Sequence, residues 1–179
     1  MARKPMRQPD RETLLRKVAY HEAGHAVLCL FFGGLNQFDI VTIVPRRRSA
    51  GSVELLPGPT PIILNPAILG IDPSEQKRQR LLVLLAGVEA ERLVDPALSE
   101  GCGGGSDFKK AVRLASKIYP ADFDGDLLRF LESLQAETGE HVQRLRVPIA
   151  RLAKELLEKK TVTYAQAKAL MGSEAPHGS

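Results

Sequence analysis

Residues 11–32, RETLLRKVAYHEAGHAVLCLFF, decide how this chain is read. Leu14, Val18, Leu28 and Phe32 fall on one helical stripe, and His21, His25 and Cys29 fall on the same stripe. Asp10 is placed to cap this helix, and Gly33-Gly34 is placed to stop it. Inside it stands His21-Glu22-Ala23-Gly24-His25, an H-E-x-x-H pattern. Four residues advance a helix by about 400°, so the two imidazoles leave one face a turn apart and can converge on a single tetrahedral ion. Glu22 sits about 100° further round, awkward as a ligand but able to bond a metal-held water. The same five residues would also fit a buried imidazole pair satisfied by carbonyls, or a structural zinc site without catalysis. Gly24 in mid-helix costs about 1 kcal/mol against alanine, so either a local reason such as a close backbone approach is expected there or the glycine is neutral drift.

The chain around this helix is ordinary in composition. It has 179 residues, 44% apolar and 26% charged, which suits one folded core and argues against wholesale disorder. Its net charge of +4 is too small to imply a nucleic-acid partner. No apolar run approaches the length of a bilayer span, and the basic, polar first 17 residues do not look like a secretory leader. Two cysteines, Cys29 and Cys102, exclude a disulfide scaffold and make a reducing, cytoplasmic setting the default. Cys29 reads as a buried apolar thiol, Cys102 as a loop residue, and His141 and His177 as surface residues.

Outward from the first helix, residues 38–44 and 52–56 read as two strands of a small hairpin or sheet, separated by the polar turn Arg46-Arg47-Arg48. Four prolines make 57–66 an irregular loop. Asp72-Pro73-Ser74-Glu75 has the form of a helix start, and the helix runs to about Val94. After the glycine-rich 101–105, Ser106 is read as the cap of a helix over 107–118. Further helices are expected over 126–137 and 140–159, the latter kinked at Pro148. Thr163 and Gln166 fit a capping box for a last helix ending at Met171. The fold class is therefore mostly α (α+β): a flexible basic arm over 1–10, one domain over 11–171, and a disordered tail over 172–179.

A catalytic zinc needs a third protein ligand and an open fourth position. Leu28 and Phe31 follow His25 where a third histidine could have stood, so the candidates are remote: Glu89, Glu91, Asp95, Glu100, Asp107 and His141. Asp107 opens a helix, where the dipole favours an anion, yet it could equally serve only to charge that helix start. Gly103-Gly104-Gly105-Ser106 lacks the Lys-Ser/Thr of a phosphate loop.

Five segments in order, HEAGH, VTIVPRRRSAGSVELLP (41–57), LLVLLAGVEAERLV (81–94), GGGSDFKKAVRLASKI (103–118) and RLAKELLEKKTVTYAQAKALM (151–171), resemble the protease domain of the FtsH family of ATP-dependent zinc metalloproteases. The resemblance implies an FtsH-protease-like helical domain acting as a zinc metalloendopeptidase on flexible or unfolded polypeptides. It implies zinc on His21, His25 and Asp107, Glu22 as general base, and Glu91 supporting a ligand. It further implies that the sheet over 41–56 takes extended substrate along its edge, and that a homo-oligomer or an ATPase is a partner. Some features depart from the family. The ATPase module and membrane anchor find no counterpart in these 179 residues. Val88-Glu89 stand where Arg-Ala is usual, and 119–122 replace a Gly-Met-Ser stretch. Those departures motivate an alternative, a catalytically silent domain that binds or regulates a partner.

Overall fold

The computed structural model of the chain describes residues 10–33, 38–45, 52–55, 72–94, 105–121 and 123–172. Residues 1–9 of the basic arm, the Arg46–Arg48 turn, the proline-rich loop, Asp95, Glu100, Cys102 and residues 173–179 of the tail lie outside the described residues.

The first helix, α1 (Arg11–Phe31), starts and stops where its sequence directs. The Thr13 N–H donates to the Asp10 carboxylate at 2.8 Å. At the other end Gly33 takes φ +67°, a left-handed conformation that glycine adopts without a Cβ penalty. From Glu22 to Leu30 every residue of α1 is buried. It is thus a central helix enclosed by its neighbours rather than a surface helix with one wet face.

Among the described residues β1 (Phe38–Thr42), β2 (Ser52–Leu55) and β3 (Thr161–Thr163) form one antiparallel sheet in the order β2-β1-β3. Val41 pairs with Val53 on one side and with Val162 on the other. Of the expected hairpin or small sheet, the structure forms a three-stranded sheet with β1 in its middle. Beyond Thr42 the ladder gives way to single bonds: Ile43 N–H donates to the Lys160 carbonyl at 2.9 Å, and Val44 N–H to Thr42 Oγ1 at 3.1 Å.

Helix α2 (Pro73–Glu91) begins at its proline, but the Asp72 side chain makes no cap bond. Helix α3 (Ser106–Ala115) begins one residue earlier than the sequence suggests, with extended Gly105 in the cap position, so Ser106 is not the cap. Helix α4 (Leu127–Arg144) runs straight through the expected break at 138–139. There the Thr138 hydroxyl is satisfied within the helix by the Leu134 carbonyl at 2.7 Å. The break falls at Leu145, which ends α4 and leads into α5 (Arg146–Lys159). Pro148 is consequently the third residue of α5, in the first turn, where a missing N–H costs no helix bond and no kink is forced. Thr163 and Gln166 form the expected capping box at the start of α6 (Tyr164–Met171).

Two apolar clusters hold these elements. One surrounds α1, joining Ala23, Val27 and Leu28 to Phe38 and Val41 of the sheet and to Ile149, Leu152 and Leu156 of α5. The other joins Leu81, Leu82 and Leu85 of α2 to Ala111 and Ala115 of α3 and to Phe130, Leu131 and Leu134 of α4. Helix α2 lies between the two and faces α1 along its length. Among the described residues no helix is long and apolar enough to cross a membrane.

The α1–α2 crossing leaves no room for a side chain at Gly24. A Cβ there would lie 2.6 Å from Ala90 Cβ and 2.7 Å from the Ala86 carbonyl oxygen. Both neighbours are rigid, so Gly24→Ala should destabilise the protein by about 1–3 kcal/mol despite alanine's better helix propensity. Urea unfolding of the two proteins checks this; an unchanged midpoint would show that the helices can part without cost.

Candidate metal centre

Helix α1 turns His21 and His25 toward α2, and α2 meets them with a glycine. A Cβ on Gly87 would lie 2.6 Å from both His21 Cε1 and His25 Nε2. The two rings lie edge to face, their centroids 4.6 Å apart. Each ring is held at its inner nitrogen by an acceptor. His21 Nδ1 stands 2.7 Å from Glu91 Oε1, and His25 Nδ1 stands 2.7 Å from the Val83 carbonyl oxygen. An acceptor at Nδ1 requires the hydrogen there and leaves Nε2 as the lone-pair nitrogen of a neutral ring.

The two Nε2 atoms are 3.0 Å apart. Two lone pairs facing at that distance repel unless a proton or a metal ion lies between them. Asp107, in the first turn of α3, brings Oδ2 to 3.6 Å from each Nε2. Bonds of 2.0–2.1 Å to a tetrahedral ion put donor atoms roughly 3.3 Å apart, which the three observed separations bracket. Two imidazole nitrogens and a carboxylate oxygen are a donor set suited to zinc. The residues fit such an ion in chemistry, in spacing and in the space that Gly87 leaves.

Without an ion the ring is held as a cation. Burial works against a charged His21, but the Asp107 and Glu91 carboxylates outweigh it and push the imidazole up to about 9, so an arriving metal must displace a proton. His21 and His25 hold the Asp107 carboxyl far below the usual carboxylate range, against the effect of burial. Burial would raise Glu91, but the His21 hydrogen bond and the Lys17 ammonium more than offset it and keep the carboxyl low. Burial lifts Glu22 above its ordinary value, with the neighbouring His25 and His21 pulling the other way. Asp107 Oδ1 takes an ion pair from Lys110 at 2.8 Å, leaving Oδ2 to face the rings.

The structure thus brings His21, His25 and Asp107 together, bonds Glu91 to His21, and buries Glu22 on the same helix. It sends two other candidates elsewhere. Glu89 is buried against α4, taking hydrogen bonds from Arg92 and from Gln135 at 2.8 Å. His141 packs on Phe31 and Phe32 and pairs with Glu137, so it is a packed side chain rather than the surface residue expected. Cys29 is buried, and burial pushes its thiol up to about 12. Two parts of the site escape a reading of the sequence. Gly87 is signalled only as a glycine within a helical run, and the Val83 carbonyl carries no signal at all.

The family model described as Peptidase family M41 matches residues 10–120. An ATP-dependent zinc metalloprotease FtsH of Borreliella burgdorferi is 25% identical over 98% of the chain, which covers 31% of that relative. The FtsH of Oenococcus oeni is 32% identical over 62% of the chain and 14% of its own length. The mitochondrial inner membrane m-AAA protease component YTA10 of Saccharomyces cerevisiae is 35% identical over 58% of the chain and 12% of its own length. The chain therefore spans less than a third of each of these relatives.

The atoms that a Gly87→Ala methyl would strike are ring atoms, which can swing aside. The variant should stay folded by circular dichroism yet bind zinc at least about 100-fold more weakly in a chelator competition, because donor spacing tolerates only about 0.2 Å. Undiminished affinity would remove the glycine from the site.

Proposed function

The chain belongs to peptidase family M41, and on that premise we propose that it is a zinc-dependent endopeptidase hydrolysing peptide bonds in flexible or unfolded polypeptides. The observation that carries the proposal is the convergence of His21 Nε2, His25 Nε2 and Asp107 Oδ2 beside a buried glutamate. In this reading those three atoms hold zinc. When bound, zinc supplies Lewis acidity, which makes water a usable nucleophile near neutral pH.

The chain's own residues do the rest. Glu22 takes a proton from the attacking water as the water oxygen bonds to the scissile carbonyl carbon. The same carboxyl delivers that proton to the departing amine nitrogen as the C–N bond breaks. Burial supports this role, because raising the Glu22 carboxyl makes it the stronger base. Glu91 and the Val83 carbonyl keep both rings in the tautomer that offers Nε2. Substrate enters as an extended strand. Among the described residues β1 is paired on both sides, so the outer edge of β2 is left within 41–56 for it to add.

The relatives are named ATP-dependent. An ATPase that delivers unfolded polypeptide, a homo-oligomeric assembly and a cytoplasmic setting belong to the same proposal.

Glu22→Gln keeps the shape and removes the base. It should retain zinc while slowing cleavage of an unfolded protein such as casein by about 10²–10⁴-fold. Equal measurable rates in the two proteins would sink the mechanism, and no cleavage by either would favour a silent binding domain. Asp107→Ala should lose most bound zinc on dialysis, measured by elemental analysis; full retention would dismiss that ligand.

A further inference from the structure

Glu91 divides its two oxygens. Oε1 meets His21 Nδ1 at 2.7 Å, and Oε2 lies 3.0 Å from the Lys17 ammonium. The lysine contact is an ion pair by distance, off the direction of an aligned hydrogen bond. It is well sheltered, with the Lys17 side chain 17% exposed and that of Glu91 8%. Lys17 stands one turn before His21 on α1, and Glu91 is the last residue of α2. One carboxylate therefore ties a lysine and a histidine of the same helix face to the end of the neighbouring helix.

We propose that Lys17 is a positioning residue for the metal centre, fixing the Glu91 carboxylate and through it the orientation and tautomer of His21. This rests on the reading that His21, His25 and Asp107 hold the ion. A carboxylate oxygen buried to this degree needs a cation or donor. Remove the ammonium, and Glu91 turns to find another partner for Oε2. Oε1 then leaves Nδ1, and the His21 ring is free to rotate and to move its hydrogen to Nε2, the nitrogen that must offer the lone pair. An exposed pair would carry no such consequence. The Lys110–Asp107 contact, with the lysine 61% exposed, is held in place by little and can open to water.

Lys17 also links two helices, so the test must separate positioning from mere stability. Wild type, Lys17→Met, Lys17→Arg, Glu91→Gln and the Lys17→Met/Glu91→Gln double variant are compared. Zinc affinity is read by competition with a chromophoric chelator, and the His21 tautomer by long-range nitrogen–proton NMR of the metal-free protein at a pH high enough for the ring to be neutral. Lys17→Met keeps the apolar stem and should bind zinc about 10–100-fold more weakly, the range for lost outer partners of a ligand. Its His21 Nδ1–H signal should be lost, and Lys17→Arg should restore most of both. The double variant should bind no more weakly than Glu91→Gln alone, because Lys17 acts through that carboxylate. If the methionine variant does not fold, Lys17→Gln takes its place with the same expectation. Wild-type zinc affinity and an unchanged His21 signal in the neutral variant would overturn the inference, whatever the melting temperature. So would losses that simply add in the double variant. A wild-type protein that takes up no zinc overturns the metal reading itself, and is distinguished by needing no variant to see.

Discussion

The distance between α1 and α2 governs everything near the two imidazoles. Helices that meet through large side chains hold their axes 8–10 Å apart. Here Gly24 faces Ala86 and Ala90, and Gly87 faces the rings themselves, so the backbone of one helix lies directly against the side chains of the other. Only that closeness lets a main-chain carbonyl of α2 reach His25 and a carboxylate at the end of α2 reach His21. The rings are gripped at Nδ1 because the helices touch, and their Nε2 atoms face one another because Nδ1 is gripped. The two apolar clusters on either side of α2 press the pair together.

Much of this is legible in the amino-acid sequence, and the exceptions have identifiable causes. The caps of α1 and α6 are local hydrogen-bond patterns written in a few neighbouring residues, and they fall where those residues direct. The helical face shared by His21 and His25 is likewise local geometry. Strand β3 escapes because Thr161–Thr163 is too short for any periodicity, and it pairs with a segment well over a hundred residues earlier. The α4–α5 boundary is hidden because Leu145 carries none of the usual stop signals, whereas Thr138-Gly139 carries a weak false one. In the site, spacing leaves Asp107 open between a ligand and a helix charge, and only tertiary contact brings it to the rings. Spacing offers Glu91 only as one of several remote candidate ligands, and its supporting role comes through family likeness alone. Gly87 can be suspected as a helix glycine, but nothing in its neighbours says which side chains its missing Cβ would meet.

The charges around the site follow one pattern. Each of the two carboxylates that meet the imidazoles gives one oxygen to them and the other to a lysine: Asp107 to Lys110, and Glu91 to Lys17. The cation on the far side helps keep the group ionised. Glu22 is treated in the opposite way, with burial as the main influence and a raised carboxyl as the result. Two anions are thus kept as permanent charges, while the third is tuned toward exchanging a proton.

The supports of the two imidazoles differ in how they stand up to genetic change. His21 leans on a side chain, and a single codon change can take Glu91 away. His25 leans on the Val83 carbonyl, which every amino acid at that position would provide. That oxygen has two lone pairs and can serve the ring while still accepting its own helix bond. Variation at position 83 therefore threatens packing but leaves the second imidazole aligned. Drift at position 91 strikes the first one directly, so the two halves of one histidine pair face unequal mutational risk.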